Sequence, residues 1–156
     1  MNKVVEDLYQ EAKMRGMVYS LKAIELAEAA HAGQKRKFTG EDYINHPVRV
    51  AWRCINYTSF TIDQDVAIAI CHDVIEDTET SIEDIKDLFN PYIVDGIIAL
   101  TRKEGENYFD FIMSIRNTPY YRIKIFDLDD NMPDLKEGCL KDKYRFARHV
   151  LKQHFS

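Results

Sequence analysis

Hydrophobic positions recur at helical spacing along most of the chain, and short polar or glycine-containing breaks separate the segments. Leu21, Ile24 and Ala27 mark successive turns of one such segment, and Gly33 follows it as a C-terminal stop. The pattern contains no internal repeat or linker, so it predicts a single all-α domain over residues 1–156. The main predicted helices span residues 18–32, 47–55, 63–77, 92–101, 106–116 and 140–153.

Local signals add two helix starts and leave one segment ambiguous. Asn90 followed by Pro91 is typical of a helix N-terminus, and Thr80 with Glu83 has the spacing of a capping box for a short helix ending near residue 88. Residues 121–127 alternate as in a strand but also fit helical spacing. Because a lone strand would have no partner in an otherwise helical chain, we interpret this segment as a helix.

Composition narrows the class of protein. The three cysteines, Cys54, Cys71 and Cys139, are odd in number and widely spaced, which favours reduced thiols and a cytoplasmic location. No apolar run approaches the roughly 18 residues of a membrane span. The formal net charge of -5 disfavours a general nucleic-acid binder. We therefore expect a soluble protein with neither a membrane nor a nucleic-acid partner; the oligomeric state stays open.

The greatest concentration of potential metal-binding and acid-base side chains follows the apolar run of residues 66–71. His72, Asp73, Glu76 and Asp77 lie there within six positions. If the run continues as a helix, His72, Asp73 and Glu76 share an arc of roughly 100°, with Asp77 at its margin. Crowded carboxylates beside an apolar stretch repel one another and lose water, which costs free energy unless a cation compensates. An isolated His-Asp pair would favour a solvated acidic face, whereas the whole string favours a divalent metal site.

A basic run, Lys35-Arg36-Lys37, is the densest positive cluster in this acidic chain. It could hold a small polyanion together with a metal, or it could be a solvated helix end, where cations are favoured in any case. Both Arg36 and Lys37 are expected to be exposed when no substrate is bound.

Taken together, these features resemble the hydrolase domain of the RelA/SpoT family, and in particular the single-domain small alarmone hydrolases of the HD metallohydrolase superfamily. The resemblance extends from Ala27 to about Leu135, and it implies a helical HD domain. The stretches that carry it are His31-Ala-Gly-Gln-Lys-Arg-Lys37, Tyr43-Ile-Asn-His-Pro47, His72-Asp-Val-Ile-Glu-Asp-Thr78, Leu100-Thr101 and Ile123-Lys-Ile-Phe-Asp127 through Asn131.

The resemblance also implies roles for individual residues. It places one Mn²⁺ per chain on His46, His72, Asp73 and Asp127, and two imidazoles with two carboxylates suit a first-row divalent ion. Glu76 and Asp77 match the catalytic acidic pair that orients water and handles protons, while His31 is interpreted as structural. The substrate-binding residues implied are Arg36, Lys37 and Asn131, with Lys141 and Tyr144 as a cationic and aromatic pair on the far side of the pocket.

The activity implied is hydrolysis of guanosine tetra- or pentaphosphate, (p)ppGpp, to GDP or GTP and pyrophosphate. The chain departs from the family pattern at Gly105-Glu-Asn-Tyr-Phe109 and at Leu128-Asp129, on the pocket side of the last metal ligand. Two alternatives therefore stay open. One is a metal-dependent phosphatase of another 2′- or 3′-phosphorylated nucleotide such as NADPH, and the other is a non-catalytic nucleotide-sensing module.

Overall fold

The computed structural model describes residues 1–57 and 62–153, and this part of the chain is helical without a strand. The all-α prediction is therefore confirmed. A 3-10 turn at Met132–Asp134 follows α9. The helices are α1 Lys3–Met14, α2 Val18–Ala30, α3 Asn45–Tyr57, α4 Ile62–Cys71, α5 Val74–Asp77, α6 Ile82–Leu88, α7 Pro91–Leu100, α8 Tyr108–Arg116, α9 Tyr121–Asn131 and α10 Cys139–Lys152.

Helix α4 lies at the centre of the fold. All of its residues from Val66 to Cys71 are buried, because α2, α3 and α7 pack around it. Helix α1 covers α2 and α3, while α9 packs on α3 and α10 packs on α8 and α9. Burial on every side explains why the α4 segment is a continuous apolar run rather than an amphipathic one.

The approach of α7 to α4 depends on Gly96. A Cβ atom at this position would lie 2.5 Å from Ile68 Cδ1 and 2.9 Å from Tyr120 Cε1, both too close for a side chain. The glycine therefore lets the two helices meet closely. This contact helps to hold α4 in place within the fold.

Helix α1 was missing from the predicted set, and its signal was present in the sequence. Val5, Leu8 and Ala12 are buried and recur at helical spacing, and the side chain of Asn2 caps the helix by accepting a hydrogen bond from the backbone N–H of Val5. The prediction began at residue 18 because the polar residues between these positions dilute the pattern.

The predicted continuous helix over residues 63–77 is wrong. Helix α4 ends at Cys71, a turn follows at His72 and Asp73, and α5 begins at Val74. Asp73 is the N-cap residue of α5, but its side chain makes no capping bond. The break leaves the Asp73 carboxylate free to face the interior, beside the imidazole of His72.

The remaining local predictions have mixed outcomes. The residues 121–127 are helical, as part of α9, and Asn90 caps α7 with Pro91 at its start, as predicted. The capping box of α6, however, is formed by Ser81 and Asp84 rather than by Thr80 and Glu83. The three cysteines are free thiols. Among the described residues, no helix has both the length and the apolar character needed to cross a membrane.

Candidate active site

Three buried side chains from separate parts of the chain converge beside α4. They are His46 at the start of α3, His72 just after α4 and Asp127 in the middle of α9, and their ligand atoms lie within 4.8 Å of one another. Asp127 Oδ1 is 3.0 Å from His46 Nε2 and 3.4 Å from His72 Nε2. Two imidazole nitrogens and a carboxylate oxygen at this spacing are a donor set for a first-row divalent metal.

Asp73 supplies a fourth ligand atom, the second oxygen, to the same cluster. Its Oδ2 atom lies 3.0 Å from His72 Nε2 and 3.6 Å from His46 Nε2. The four predicted ligands, His46, His72, Asp73 and Asp127, are therefore brought together, although the helix that was expected to align two of them is interrupted.

The hydrogen bonds of the two imidazoles direct Nε2 of each ring towards the cluster. His72 Nδ1 lies 2.6 Å from the carbonyl oxygen of Ala69, which can only accept, so Nδ1 carries a hydrogen. His46 Nδ1 likewise lies 2.7 Å from Asp130 Oδ2. His72 Nε2 is buried without a hydrogen-bond partner in the described structure. An orphaned ring nitrogen that faces carboxylates fits a metal ligand, because such an atom is costly unless a cation binds it.

The electrostatics of the cluster also favour a cation. Burial lowers the pKa of His72, but the charges of Asp73 and Asp127 outweigh it and raise that pKa well above its ordinary value. Burial raises the pKa of Asp127, yet the charge of Lys124 and the two imidazoles bring it well below the usual range. The same negative field that would hold a proton on His72 would hold a divalent metal in its place.

Lys124, which was not predicted from the sequence, contacts Asp127 from the same helix. Its Nζ atom is 2.6 Å from Asp127 Oδ2, whereas the two imidazoles contact Oδ1. Burial lowers the pKa of Lys124, but the charge of Asp127 more than offsets this and raises it. The ammonium group therefore stays charged and fixes the orientation of Asp127, whose Oδ1 atom is left facing the cluster.

Glu76 and Asp77 lie at the end of α5, next to the ligand cluster, and both line a cavity that opens beside it. Desolvation raises the pKa of Glu76, against a hydrogen bond from the backbone N–H of Arg102, and the charges of Asp73 and Asp77 raise it further. Desolvation followed by the charge of Asp73 also raises the pKa of Asp77. Carboxyl groups with raised pKa values can accept or release a proton closer to neutral pH.

Tyr43 connects the acidic pair with the ligand cluster. Its hydroxyl oxygen lies 2.6 Å from Asp73 Oδ2 and 3.0 Å from Asp77 Oδ2. A hydroxyl group has one hydrogen, so it cannot donate to both carboxylates at once. Both contacts are satisfied when Tyr43 donates to Asp73 and a protonated Asp77 donates to Tyr43. This geometry agrees with a proton-handling role for Asp77.

A cavity of about 330 Å³ opens above these residues. Its floor contains Asp73, Glu76, Asp77 and Asp127, and its walls carry most of the positive charge near the site. A negatively charged ligand could enter between basic walls and reach a metal at the floor. The cationic and aromatic residues that line the cavity include Arg36, Lys37, Arg102, Lys124, Lys143, Tyr108 and Tyr144.

Four of the five predicted substrate-binding residues line this cavity: Arg36, Lys37, Asn131 and Tyr144. Lys141 does not line it, and its Nζ atom instead lies 3.0 Å from Glu137 Oε1. The expectation that Arg36 is exposed is wrong, because its side chain is only 9% exposed. Arg36 Nη2 donates to Asn131 Oδ1 and to Asp134 Oδ2, at 3.0 Å in each case. Lys37 is exposed, as expected.

Asn131 joins the substrate wall to the ligand cluster. Its Nδ2 atom donates to Asp127 Oδ1 at 2.7 Å, while its Oδ1 atom accepts from Arg36. Tyr108 forms part of the opposite wall, where Lys143 Nζ lies 4.0 Å from the centre of its ring and Tyr144 stacks at 6.3 Å. Tyr108 was not predicted, because it belongs to the segment that departs from the family pattern.

His31, interpreted from the sequence as structural, is buried outside the ligand set. Its Nδ1 atom lies 2.8 Å from Gln34 Oε1, and its ring packs 4.8 Å from that of Tyr43. This position supports the loop that carries Tyr43.

Comparisons with known proteins agree with this geometry. The sequence model of the HD domain family matches residues 23–114, more than half of the chain. A solved structure of a metazoan ortholog of SpoT, described as hydrolyzing ppGpp, superposes with a TM-score of 0.73 over 87% of this chain and 86% of that chain. At 22% sequence identity, that likeness establishes a common fold.

Several curated proteins are similar in sequence. A guanosine-3′,5′-bis(diphosphate) 3′-pyrophosphohydrolase of Aquifex aeolicus is 33% identical over 124 residues, which cover 74% of this chain and 17% of that protein. The bifunctional (p)ppGpp synthase/hydrolase SpoT of Escherichia coli is 33% identical over 139 residues, or 81% of this chain and 19% of that protein. The chain thus spans less than a fifth of the length of these relatives.

The helical fold and the buried His, His-Asp and Asp cluster define a protein of the HD class. The chain belongs to the HD domain family, and its resemblance to the RelA/SpoT-type hydrolases is confirmed.

Proposed function

We propose that this chain is a Mn²⁺-dependent guanosine 3′,5′-bis(diphosphate) 3′-pyrophosphohydrolase, which converts (p)ppGpp to GDP or GTP and pyrophosphate. The observation that carries the proposal is the convergence of His46 Nε2, His72 Nε2, Asp73 Oδ2 and Asp127 Oδ1 at the floor of a cavity with basic walls. The names of the relatives in Aquifex aeolicus and Escherichia coli support the choice of substrate.

The four ligands would hold one metal ion per chain. A divalent ion there would supply a Lewis acid for a phosphate oxygen and lower the pKa of a coordinated water. Mn²⁺ suits a set with two imidazoles, two carboxylates and no thiolate. Lys124 and Asn131 keep Asp127 in its orientation through their hydrogen bonds to Oδ2 and Oδ1, respectively.

The basic walls would bind the nucleotide. Arg36 is held by Asn131 and Asp134 with its guanidinium plane at the cavity, where it can stack on the guanine ring, and Lys37 can meet phosphate. Arg102, Lys143 and Tyr144 form the opposite wall. A substrate with at least four negative charges needs this positive field to enter a site that is rich in carboxylates.

Glu76 and Asp77 would perform the proton transfers of hydrolysis. Water attacks the phosphorus attached to the 3′-oxygen, the bond between phosphorus and that oxygen breaks, and the 3′-oxygen leaves as a hydroxyl group. One carboxylate accepts the proton of the attacking water, and a protonated carboxyl group can return a proton to the leaving oxygen. The raised pKa values of both residues and the contact between Asp77 and Tyr43 support this assignment.

Phosphorus NMR of the manganese-loaded protein with guanosine tetraphosphate tests the proposal. We expect equal amounts of GDP and pyrophosphate, and no orthophosphate. Parallel reactions with NADPH test the alternative phosphatase, for which orthophosphate would be the product. Tight binding of guanosine tetraphosphate without turnover would instead identify a sensing module. Hydrolysis of NADPH without turnover of guanosine tetraphosphate, or binding of guanosine tetraphosphate without turnover, would overturn the proposed activity.

We also propose a cytoplasmic location and a small-molecule nucleotide as the partner, without a membrane or a nucleic acid. The free thiols of Cys54, Cys71 and Cys139 are in keeping with a reducing compartment. The single domain over residues 1–156 is part of the same proposal.

A further inference from the structure

A second set of charges, with the buried Asp130 at its centre, contacts His46 through Nδ1, the ring nitrogen that does not face the ligand cluster. His46 Nδ1 is 2.7 Å from Asp130 Oδ2, and Asp130 is itself 7% exposed. Arg49 holds Asp130 from one turn further along α3, with Nε donating to Oδ1 at 2.8 Å and Nη2 donating to Oδ2 at 3.1 Å. The imidazole of His46 therefore has a carboxylate partner whose own orientation is fixed by two hydrogen bonds.

The same arginine connects this partner to the loop between α2 and α3. Arg49 Nη1 and Nη2 donate to Glu41 Oε2 and Oε1 at 2.9 and 2.8 Å. The backbone carbonyl of Glu41 accepts from the backbone N–H of Arg36 at 2.9 Å. A continuous path of hydrogen bonds thus runs from His46 through Asp130, Arg49 and Glu41 to the residue proposed to bind the guanine ring.

We propose that Asp130 and Arg49 are positioning residues that set the metal affinity of the site by acting through His46. The carboxylate of Asp130 keeps the hydrogen of His46 on Nδ1 and leaves Nε2 as the ligand atom, and its negative charge makes that nitrogen a stronger donor. Arg49 fixes the carboxylate in place and ties it to the substrate loop. The inference rests on the proposed metal site, but it does not depend on which nucleotide is the substrate.

The neighbouring acidic residue provides a matched control. Asp129 precedes Asp130 on α9 and also pairs with an arginine, Arg148 of α10, but it makes no contact with the metal ligands. A variant of either aspartate removes one carboxylate from an arginine pair on the same helix. Only the Asp130 variant also removes the negative charge beside Nδ1 of His46.

The test compares the Mn²⁺ affinity of the parent, Asp130→Asn and Asp129→Asn, measured by the electron paramagnetic resonance signal of free Mn²⁺. An asparagine can still contact Nδ1, but it lacks the charge and can turn its NH₂ group towards the ring, which would favour the wrong tautomer. We expect Asp130→Asn to weaken Mn²⁺ binding about 10- to 100-fold, the effect usual for such partners. Asp129→Asn should bind Mn²⁺ as tightly as the parent.

Circular dichroism and thermal unfolding of the metal-free proteins establish that each variant is folded. If the parent binds no Mn²⁺, the proposed metal site itself is wrong. If the parent binds Mn²⁺ and folded Asp130→Asn binds it equally well, only the role of Asp130 is wrong. Arg49→Gln, which leaves the Asp130 carboxylate in place, gives a second measurement. We expect Arg49→Gln to lose less Mn²⁺ affinity than Asp130→Asn. If Arg49→Gln binds Mn²⁺ no more weakly than the control Asp129→Asn, Arg49 has no role in metal binding.

Discussion

The floor and the walls of the cavity are built in different ways. At the floor, His46, His72 and Asp127 are buried, and each is oriented by a neighbouring carbonyl, carboxylate or ammonium group. At the walls, Lys37, Arg102 and Lys143 are exposed, although Arg102 donates to the backbone carbonyl of Glu106 and Lys143 lies over the ring of Tyr108. A metal requires fixed donors, whereas exposed cations on long side chains can adjust to a flexible polyphosphate. We therefore expect changes at the floor to affect metal binding and turnover, and changes at the walls to affect substrate binding.

The largest effect is expected at the floor, from His72→Ala. This change removes a ring nitrogen that is buried without a hydrogen-bond partner and faces the other proposed ligands, so Mn²⁺ binding and turnover should both be lost. The helices should remain, because α4 is held by its apolar neighbours. Elemental analysis and circular dichroism check the two expectations. His149→Ala, at an exposed position on α10, is the control and should keep the metal. Stoichiometric Mn²⁺ in His72→Ala would refute the ligand assignment.

The second effect concerns the acidic pair Glu76 and Asp77, at the floor beside the ligand cluster. Glu76→Gln and Asp77→Asn should keep the metal and lower kcat about 10²- to 10⁴-fold, the usual contribution of a positioned acid or base. Glu79→Gln, a matched change at an exposed position outside this cavity, should retain the parent rate. Steady-state kinetics together with metal analysis make the comparison. If either variant hydrolyses the substrate within a few-fold of the parent rate, that carboxyl group is not the proton carrier.

The third effect separates two adjacent residues of the basic run. Arg36→Met should lower kcat/KM for guanosine tetraphosphate about 3- to 30-fold, since stacking of a guanidinium on an aromatic ring contributes about 0.5–2 kcal/mol. It should also lower the thermal stability, because Arg36 is bonded to Asn131 and Asp134. Lys37→Met should have a smaller effect that is more visible at low salt, with stability unchanged.

The control for this pair is Lys35→Met, in the same run but directed to Asp42. It should change neither kcat/KM nor stability appreciably. Kinetics at two ionic strengths and thermal unfolding are the measurements. Equal efficiencies for all three variants and the parent would mean that the run is a solvated segment without a role in binding.

Much of the floor could be predicted from the sequence because its residues lie in short, distinctive strings. The pair His72-Asp73 follows the apolar run of α4, and His46 precedes a proline at the start of α3. The break between α4 and α5 could not be predicted, since helical spacing continues through it. The Asp73 side chain faces the other ligands and makes no capping bond to α5, so the break carries no local capping signal.

The groups that orient the ligands escaped prediction for a related reason. The sequence around these charged residues, Lys124, Arg49 and Asp130, contains no motif that marks a functional site. Each acts through a partner: Lys124 contacts Asp127 on the same helix, and Arg49 contacts Asp130, which is distant in sequence. Pairings such as His46 with Asp130, 84 positions apart, appear only when the helices have packed. Tyr43 could have been suspected, because its hydroxyl lies in the loop that leads to His46.

The smallest effect distinguishes two lysines on the first turns of α10. Lys141 was predicted to bind the substrate, whereas Lys143 lines the cavity beside Tyr108 and Lys141 pairs with Glu137. An exposed cation near a phosphate contributes about 1 kcal/mol or less, so Lys143→Met should raise KM by about three- to fivefold at low salt. Lys141→Met should leave KM within twofold of the parent. A larger increase for Lys141→Met would mean that its ion pair with Glu137 opens when the nucleotide binds, and that α10 closes over the substrate through Lys141.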